Sequence, residues 1–391
     1  MRRSCAAHAA ATSMRGAALL IAGLALVGAA PAFAGVAWDV YGRADLSVDR
    51  YSAGGYDAWD LASNSSRAGL AAVHELDAGL TVTGRIERKV VISRGEAELE
   101  ARDTYLGLGG EWGELRLGYL DTALKDIRSR VDLFGSQMGN ARNVIRADHD
   151  PHLDDRFPTT LRYSSPRQHG WGTELQVSLD PADTDDLADG RVLPSADNER
   201  TGVSAALRYT GERFWVAGGY ERVDGLDEGM DGSGERDSAG GYRLGIEVDV
   251  TDGLRLTALG QITEDAYPEW GAGAVGDKGA REGYVDAVAY GAGALLALDE
   301  DLDLRLQHYT LDVDASGQGA RILSVGPVFH ADEHLQLYAT ATYLSNDDRS
   351  RLVPWYQGRT AGADGHGIDD EAGLSPGRSA WGLSSGVRYD F

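Results

Sequence analysis

Short segments in which apolar and polar residues take turns recur along almost the whole chain, and this period of two constrains the fold more than any single motif. A strand turns successive side chains to opposite faces. The last stretch shows the pattern clearly. Trp381, Leu383, Val387, Tyr389 and Phe391 share one face, and Gly382, Ser384, Gly386, Arg388 and Asp390 share the other. An apolar face with aromatics at both ends suits a strand with lipid on one side and water on the other. The longest apolar segment beyond the N-terminal region, Val285 to Leu298, is broken by Asp286, Tyr290 and glycines. It falls short of the roughly 20 residues that a spanning helix needs. Hydropathy alone would class the chain as soluble, but only every second residue of a barrel strand faces lipid.

About 16 alternating segments can be counted, near residues 37–49, 65–76, 79–90, 101–110, 113–120, 159–166, 171–180, 200–210, 213–222, 240–250, 253–264, 282–297, 301–313, 319–331, 334–345 and 379–391. Short turns such as Asp77-Ala78-Gly79, Glu111-Trp112-Gly113, Gly211-Glu212-Arg213 and Thr251-Asp252-Gly253 alternate with long loops rich in Asp, Gly and Ser. An even count, with short turns on one side and long loops on the other, predicts an all-β fold: a transmembrane antiparallel barrel of about 16 strands. No composition shift marks a second domain, so 35–391 reads as one barrel domain. The pattern suggests no helices beyond short turns.

Ahead of the barrel, Ala17 to Ala30 form a small-residue apolar run behind Arg15, and Ala32-Phe33-Ala34 fits an A-x-A cleavage site. Residues 1–34 therefore read as a secretory signal peptide. Met14-Arg15 would itself make an ordinary start, so Met1 to Ser13 reads as an extension. The only cysteine, Cys5, lies in this segment, which leaves the mature chain without disulfides. The formal net charge is −24, and removing Arg2, Arg3 and Arg15 with no acid makes the mature chain three charges more negative, about −27. That balance argues against nucleic acid, whose phosphates need a basic footprint.

Several pieces, in order, then resemble the general diffusion porins of Gram-negative bacteria. They are Ser66-Arg67-Ala68-Gly69-Leu70, Arg102 to Leu108, Gly113 to Thr122, a long segment holding Asp132-Leu133-Phe134-Gly135, Leu161 to Pro166, and the terminal Phe391. The resemblance covers essentially the whole mature chain. It implies an outer-membrane barrel, usually a homotrimer, with an inward-folded constriction loop at 121–158. By motif, Arg67, Arg102 and Arg162 match the basic pore wall, and Arg43 and Arg85 are further candidates. The family's loop acid falls on Leu133 here, leaving Asp121, Asp126 and Asp132 as candidates around Phe134. The loop also carries Arg128, Arg130, Arg142 and Arg146, and a basic loop facing a basic wall would favour anions. Tyr389 and Phe391 end the signal that the family presents to the barrel-assembly machinery. Outer-membrane lipid, lipopolysaccharide and small hydrophilic solutes and ions are the remaining expected partners.

Competing motifs lack their context. Gly271-Ala272-Gly273-Ala274-Val275-Gly276 follows no buried parallel strand and opens no helix, so it is no dinucleotide fingerprint. Gly373-Leu374-Ser375-Pro376-Gly377 lies in a loop, and Gly382-Leu383-Ser384-Ser385-Gly386 lies inside the last strand. Neither is a nucleophile elbow. His149 and His152, among Asp150, Asp154 and Asp155, read as a loop contacting lipopolysaccharide-bound ions or as a solvated charge run rather than as a specific metal site. No cofactor and no catalytic set is expected. The function expected is passive diffusion through a water-filled channel. The alternatives are an anion- or phosphate-preferring porin, a barrel enzyme, and a structural or adhesive barrel.

Overall fold

The alternation closes into one antiparallel sheet in a computed structural model that describes residues 35–94, 101–146, 153–179, 201–224, 238–270, 281–355 and 376–391. The strands are β1 (Val36–Ala53), β2 (Tyr56–Ser63), β3 (Arg67–Leu76), β4 (Leu80–Lys89), β5 (Ala101–Gly110), β6 (Gly113–Asp121), β7 (Arg156–Ser164), β8 (Trp171–Ser178) and β9 (Thr201–Thr210). They continue as β10 (Phe214–Asp224), β11 (Ser238–Thr251), β12 (Leu254–Trp270), β13 (Arg281–Ala297), β14 (Leu302–Val313), β15 (Ala320–His330), β16 (Leu335–Asn346) and β17 (Ala380–Asp390). Apart from β2 and β3, which both pair with β1, each strand pairs with the next, and β17 returns to β1 with Arg43 opposite Asp390 and Ala53 opposite Ala380. Closure leaves no edge, which lipid requires because it offers no partner to a free backbone amide.

Seventeen segments make sixteen barrel strands. β3 pairs with the first half of β1 and β2 with its second half, so β2 and β3 are two parts of one staggered position. The break falls at Asn64-Ser65-Ser66, where Ser65 has φ 58°. Polar side chains hold it: Asn64 Nδ2 donates to Ser47 Oγ and to the Tyr338 hydroxyl, each at 2.9 Å, and that hydroxyl donates to Asp45 at 2.6 Å.

The outer face carries a continuous apolar band. Leu106, Leu117, Leu161 and Val177 are successive register partners, and each is about half exposed. Such a band would promote association in water, but it is the surface a lipid-facing barrel presents. At the short-turn end, aromatic pairs ring the barrel: Trp112 with Tyr163, Trp171 with Tyr209, and Tyr389 with Phe391, their centroids 6.3, 5.1 and 6.1 Å apart. No helix among the described residues is long and apolar enough to cross a membrane.

Inside, the segment between β6 and β7 folds into the lumen, where it forms two helices, α1 (Ala123–Val131) and α2 (Arg142–Ile145). This corrects the expectation of turns alone. Leu124, Ile127 and Val131 lie one helical turn apart, and burying that stripe against the wall fixes a helix the strand pattern does not announce. Glycines make room for it: a Cβ on Gly219 would come within 2.7 Å of Ile127, and one on Gly245 within 2.6 Å. Ala217, Ala239, Leu259 and Ala287 complete an apolar patch on the inner face of β10 to β13.

Candidate functional site

The period of two aims Tyr41 and Arg43 from β1, Arg67 from β3, Arg85 and Glu87 from β4, Tyr105 from β5 and Arg116 from β6 into the lumen. Register sets Arg43 beside Arg67 and Arg85 beside Tyr105. Glu87 serves several partners. It accepts from the Tyr41 hydroxyl at 3.0 Å, pairs with Arg67 at 3.5 Å, and bonds Arg102 more closely still. Arg43 turns the other way, to Asp390 at 2.6 Å, which Arg388 also reaches. Arg85 has no carboxylate within ion-pair distance among the described residues. Its guanidinium lies over Tyr41 at 5.4 Å and Tyr105 at 5.8 Å, and Arg116 covers Tyr105 at 4.5 Å. The rings hold these cations in place without cancelling their charge, although Arg116 also pairs with Glu114 at 2.7 Å.

Arg162 lies opposite Arg116 in the register but turns to the inward loop. It is buried and ties the loop to the wall, donating to Asp126 at 2.8 Å and to Glu174. Arg208 joins the same carboxylates, at 2.6 Å from Glu174 and 3.5 Å from Asp126. Asp126 belongs to the inward loop, not to a spanning strand. Burial, helped by the nearby Asp121 and Glu174 carboxylates, pushes its carboxyl up to about 6, against the pull of Arg162 and Arg208.

The other candidate loop residues divide by their partners. Asp121 pairs with Lys125 at 3.0 Å and Arg156 at 2.8 Å. Arg128 is buried on Asp154 at 2.9 Å, and Arg243 meets the same carboxylate at 3.0 Å. Burial opposes the charged form of Asp154, yet Arg128, Arg243 and Arg146 hold it well below the ordinary carboxylate range. Asp155 is held down in the same way, by Arg146, Lys125 and Arg156. Asp132 does not reach the arginines of the wall. It is buried and accepts from the backbone N–H of Phe134 and of Ala141 and from Gln307, so it shapes the loop tip. Phe134 is buried beneath the Arg305 guanidinium, 4.5 Å from its ring centroid. Arg130 is half exposed and bonds Glu247 at 2.6 Å.

Exposure separates two sides of the lumen. The side chains of Arg67, Arg102 and Arg116 are 22%, 17% and 31% exposed. The inner-face residues Ser204, Glu221, Gln261, Gln307, Ser324 and Thr342, from β9 to β16, are all buried. The structure thus brings Arg43, Arg67, Arg85 and Arg102 together, and it holds Arg162 with the loop. It adds Tyr41, Glu87, Tyr105, Arg116, Glu174 and Arg208, which the motifs did not mark. Glu87 was within reach of sequence reasoning, since it lies two residues beyond Arg85 on the same face. His149 and His152 lie outside the described residues, among which no cluster of three or more His, Cys, Asp or Glu could hold a metal.

Comparison with known proteins agrees with this architecture. A family model described as Gram-negative porin matches residues 17–349. The chain is 29% identical to a chitoporin of Vibrio furnissii over 250 residues, 56% of this chain, and spans only 64% of that protein's length. It is also 29% identical over 134 residues to the major outer membrane protein P.IB of Neisseria sicca, covering 34% of this chain and 37% of that one. Among solved structures, an anion-selective porin from Comamonas acidovorans superposes with a TM-score of 0.71 at 20% identity, over 91% of this chain and 100% of that one. OmpF of Salmonella typhi, solved with daunomycin, superposes with a TM-score of 0.65 at 16% identity, over 91% of this chain and 98% of that one. With a closed sixteen-strand barrel, a segment folded into its lumen and a family match over most of its length, the chain belongs to the Gram-negative porin family of the outer membrane.

Proposed function

We propose that the protein forms a water-filled channel through which ions and small hydrophilic solutes diffuse passively, with a preference for anions. The observation that carries this reading is the charge of the accessible wall. Among the described residues, Arg67 and Arg102 share the carboxylate of Glu87, and Arg85 stacks on tyrosines with no ion pair. The loop acids are already engaged by cations, Asp126 by Arg162 and Asp121 by Lys125 and Arg156. A narrow path bordered by excess guanidinium lowers the barrier for anions and raises it for cations. The fold neighbour from Comamonas acidovorans, described as anion-selective, supports the same sign. Planar bilayer recording across a salt gradient tests it: the reversal potential should lie on the anion side. A cation-side value would reject the preference, and no conductance steps at all would reject the channel.

The assembly we propose is a homotrimer. One fold neighbour, OmpT of Vibrio cholerae, was solved in a trimer form. Lipid and lipopolysaccharide would cover the remaining apolar band, and the barrel-assembly machinery would read the strand ending in Tyr389 and Phe391. The work is transport rather than catalysis, as the porin family and the porins among the solved neighbours suggest.

A further inference from the structure

The chain leaving β16 does not run straight out of the barrel. Asn346 turns it back: its Oδ1 accepts from Leu352 N–H at 2.9 Å, and its Nδ2 donates to the carbonyls of Leu352 and Arg378 at 2.9 and 2.8 Å. Leu352, Val353 and Trp355 are buried as a result. Trp355 stacks on Tyr51 of β1, with centroids 4.7 Å apart and planes 26° from parallel. Around that stack, Val353, Met138 and Ala380 close an apolar cluster separate from the one under α1. Met138 belongs to the tip of the inward loop.

The polar contacts point to the same place. The Pro354 carbonyl accepts from Gly139 N–H at 2.8 Å and from Asn143 Nδ2 at 3.1 Å. On the opposite side, the Gly139 carbonyl accepts from Ser324 Oγ at 2.6 Å and from Gln307 Nε2 at 3.2 Å. Gly139 is thus clamped between the barrel wall and the returning chain. The wall leaves no slack: a Cβ on Gly382 would approach the Met138 sulfur to 2.4 Å.

We infer that Leu352–Trp355 is a strap that holds the tip of the inward loop against β15 to β17, so two loops set the width of the path together. Trp355 and Tyr51 are positioning residues for the constriction, and neither belongs to the charged wall. Without the stack, the tip keeps its bonds to Ser324 and Gln307 but loses its cover from above. It then samples positions further from the wall, and the current through the barrel becomes larger and noisier. The conductance part of this inference rests on the channel reading.

Trp355→Ala should raise single-channel conductance and current noise while the protein still shows the heat-modifiable mobility of a folded barrel. Unchanged conductance and noise in a folded variant would overturn the strap. A Tyr51→Cys/Trp355→Cys pair covers the case in which Trp355→Ala fails to fold. Oxidised, it should conduct like the wild type, and reduction should widen it. Equal currents in the two redox states would also overturn the inference. A readout independent of conduction is the labelling of Met138→Cys by a hydrophilic maleimide. It should be slow with the strap intact and several-fold faster with Trp355→Ala, and equal rates reject the strap. A wild type that never conducts would instead strike the channel reading, leaving the strap to be judged on labelling alone.

Discussion

Glu87 answers to two guanidiniums at once, and that imbalance sets the character of the wall. Glu87→Gln should move the reversal potential further to the anion side, because Arg67 and Arg102 lose their shared counter-charge. Leaving both cations without that counter-charge should also lower the heat-modification temperature, because a partly buried guanidinium is then less well compensated. Arg67→Glu or Arg102→Glu should act oppositely and shift selectivity towards cations; no shift in either would remove that residue from the path. Asp126 supplies a pH dependence. Its carboxyl sits at about 6, so on acidification through that value it takes up a proton and the lumen loses one negative charge. Anion preference should therefore rise between about pH 7 and pH 5, and Asp126→Asn should abolish the change in reversal potential. At this scale the sequence was half legible. Motif and spacing marked Arg67, Arg102 and Arg162 as wall candidates; the first two meet at Glu87, and the third is buried against the loop. Glu174 and Arg208 stayed hidden, because alternation tells which face a side chain takes but not which neighbour the register puts beside it.

The helix α1 shows how an element can be written in the chain and still be passed over. Leu124, Ile127 and Val131 carry a helical stripe, yet Lys125, Asp126, Arg128 and Arg130 between them read as a solvated loop. What makes the stripe a helix is the wall waiting for it, built from small residues on strands more than eighty positions away. Gly245→Leu should push α1 off that wall, since even a Cβ there would stand 2.6 Å from Ile127. Overpacking of this kind costs about 1–3 kcal/mol, and the displaced helix should narrow the path. The expected outcome is a folded barrel with lower single-channel conductance.

For the whole molecule, closure is the event on which everything else depends. Gly42 exchanges both backbone hydrogen bonds with Phe391, at 2.8 and 3.0 Å, and a Cβ on Gly42 would run into the Phe391 ring at 2.4 Å. Gly42→Val should reduce the yield of heat-modifiable protein, while a valine at Gly84, whose nearest outside atom stands 4.0 Å from an added Cβ, should not. The strand total was legible from alternation and turn spacing. The split of one position into β2 and β3 was not, because Asp57, Asp60 and the Gly54-Gly55 turn disguise Tyr56–Ser63 as a loop.

The open side of the lumen has a genetic consequence. Most of its accessible side chains, from Tyr41 to Arg116, come from β1 to β6, joined by Arg208 of β9 and by Arg388 and Asp390 of β17, whereas the packing that supports the inward loop is drawn mainly from β9 to β17 with Tyr51 and Ala53 of β1. Substitutions at the accessible arginines of those first strands can reset ionic preference while the packing under the inward loop is kept. A lineage of such channels can thus follow a changing supply of solutes by editing one part of the gene and inheriting the rest.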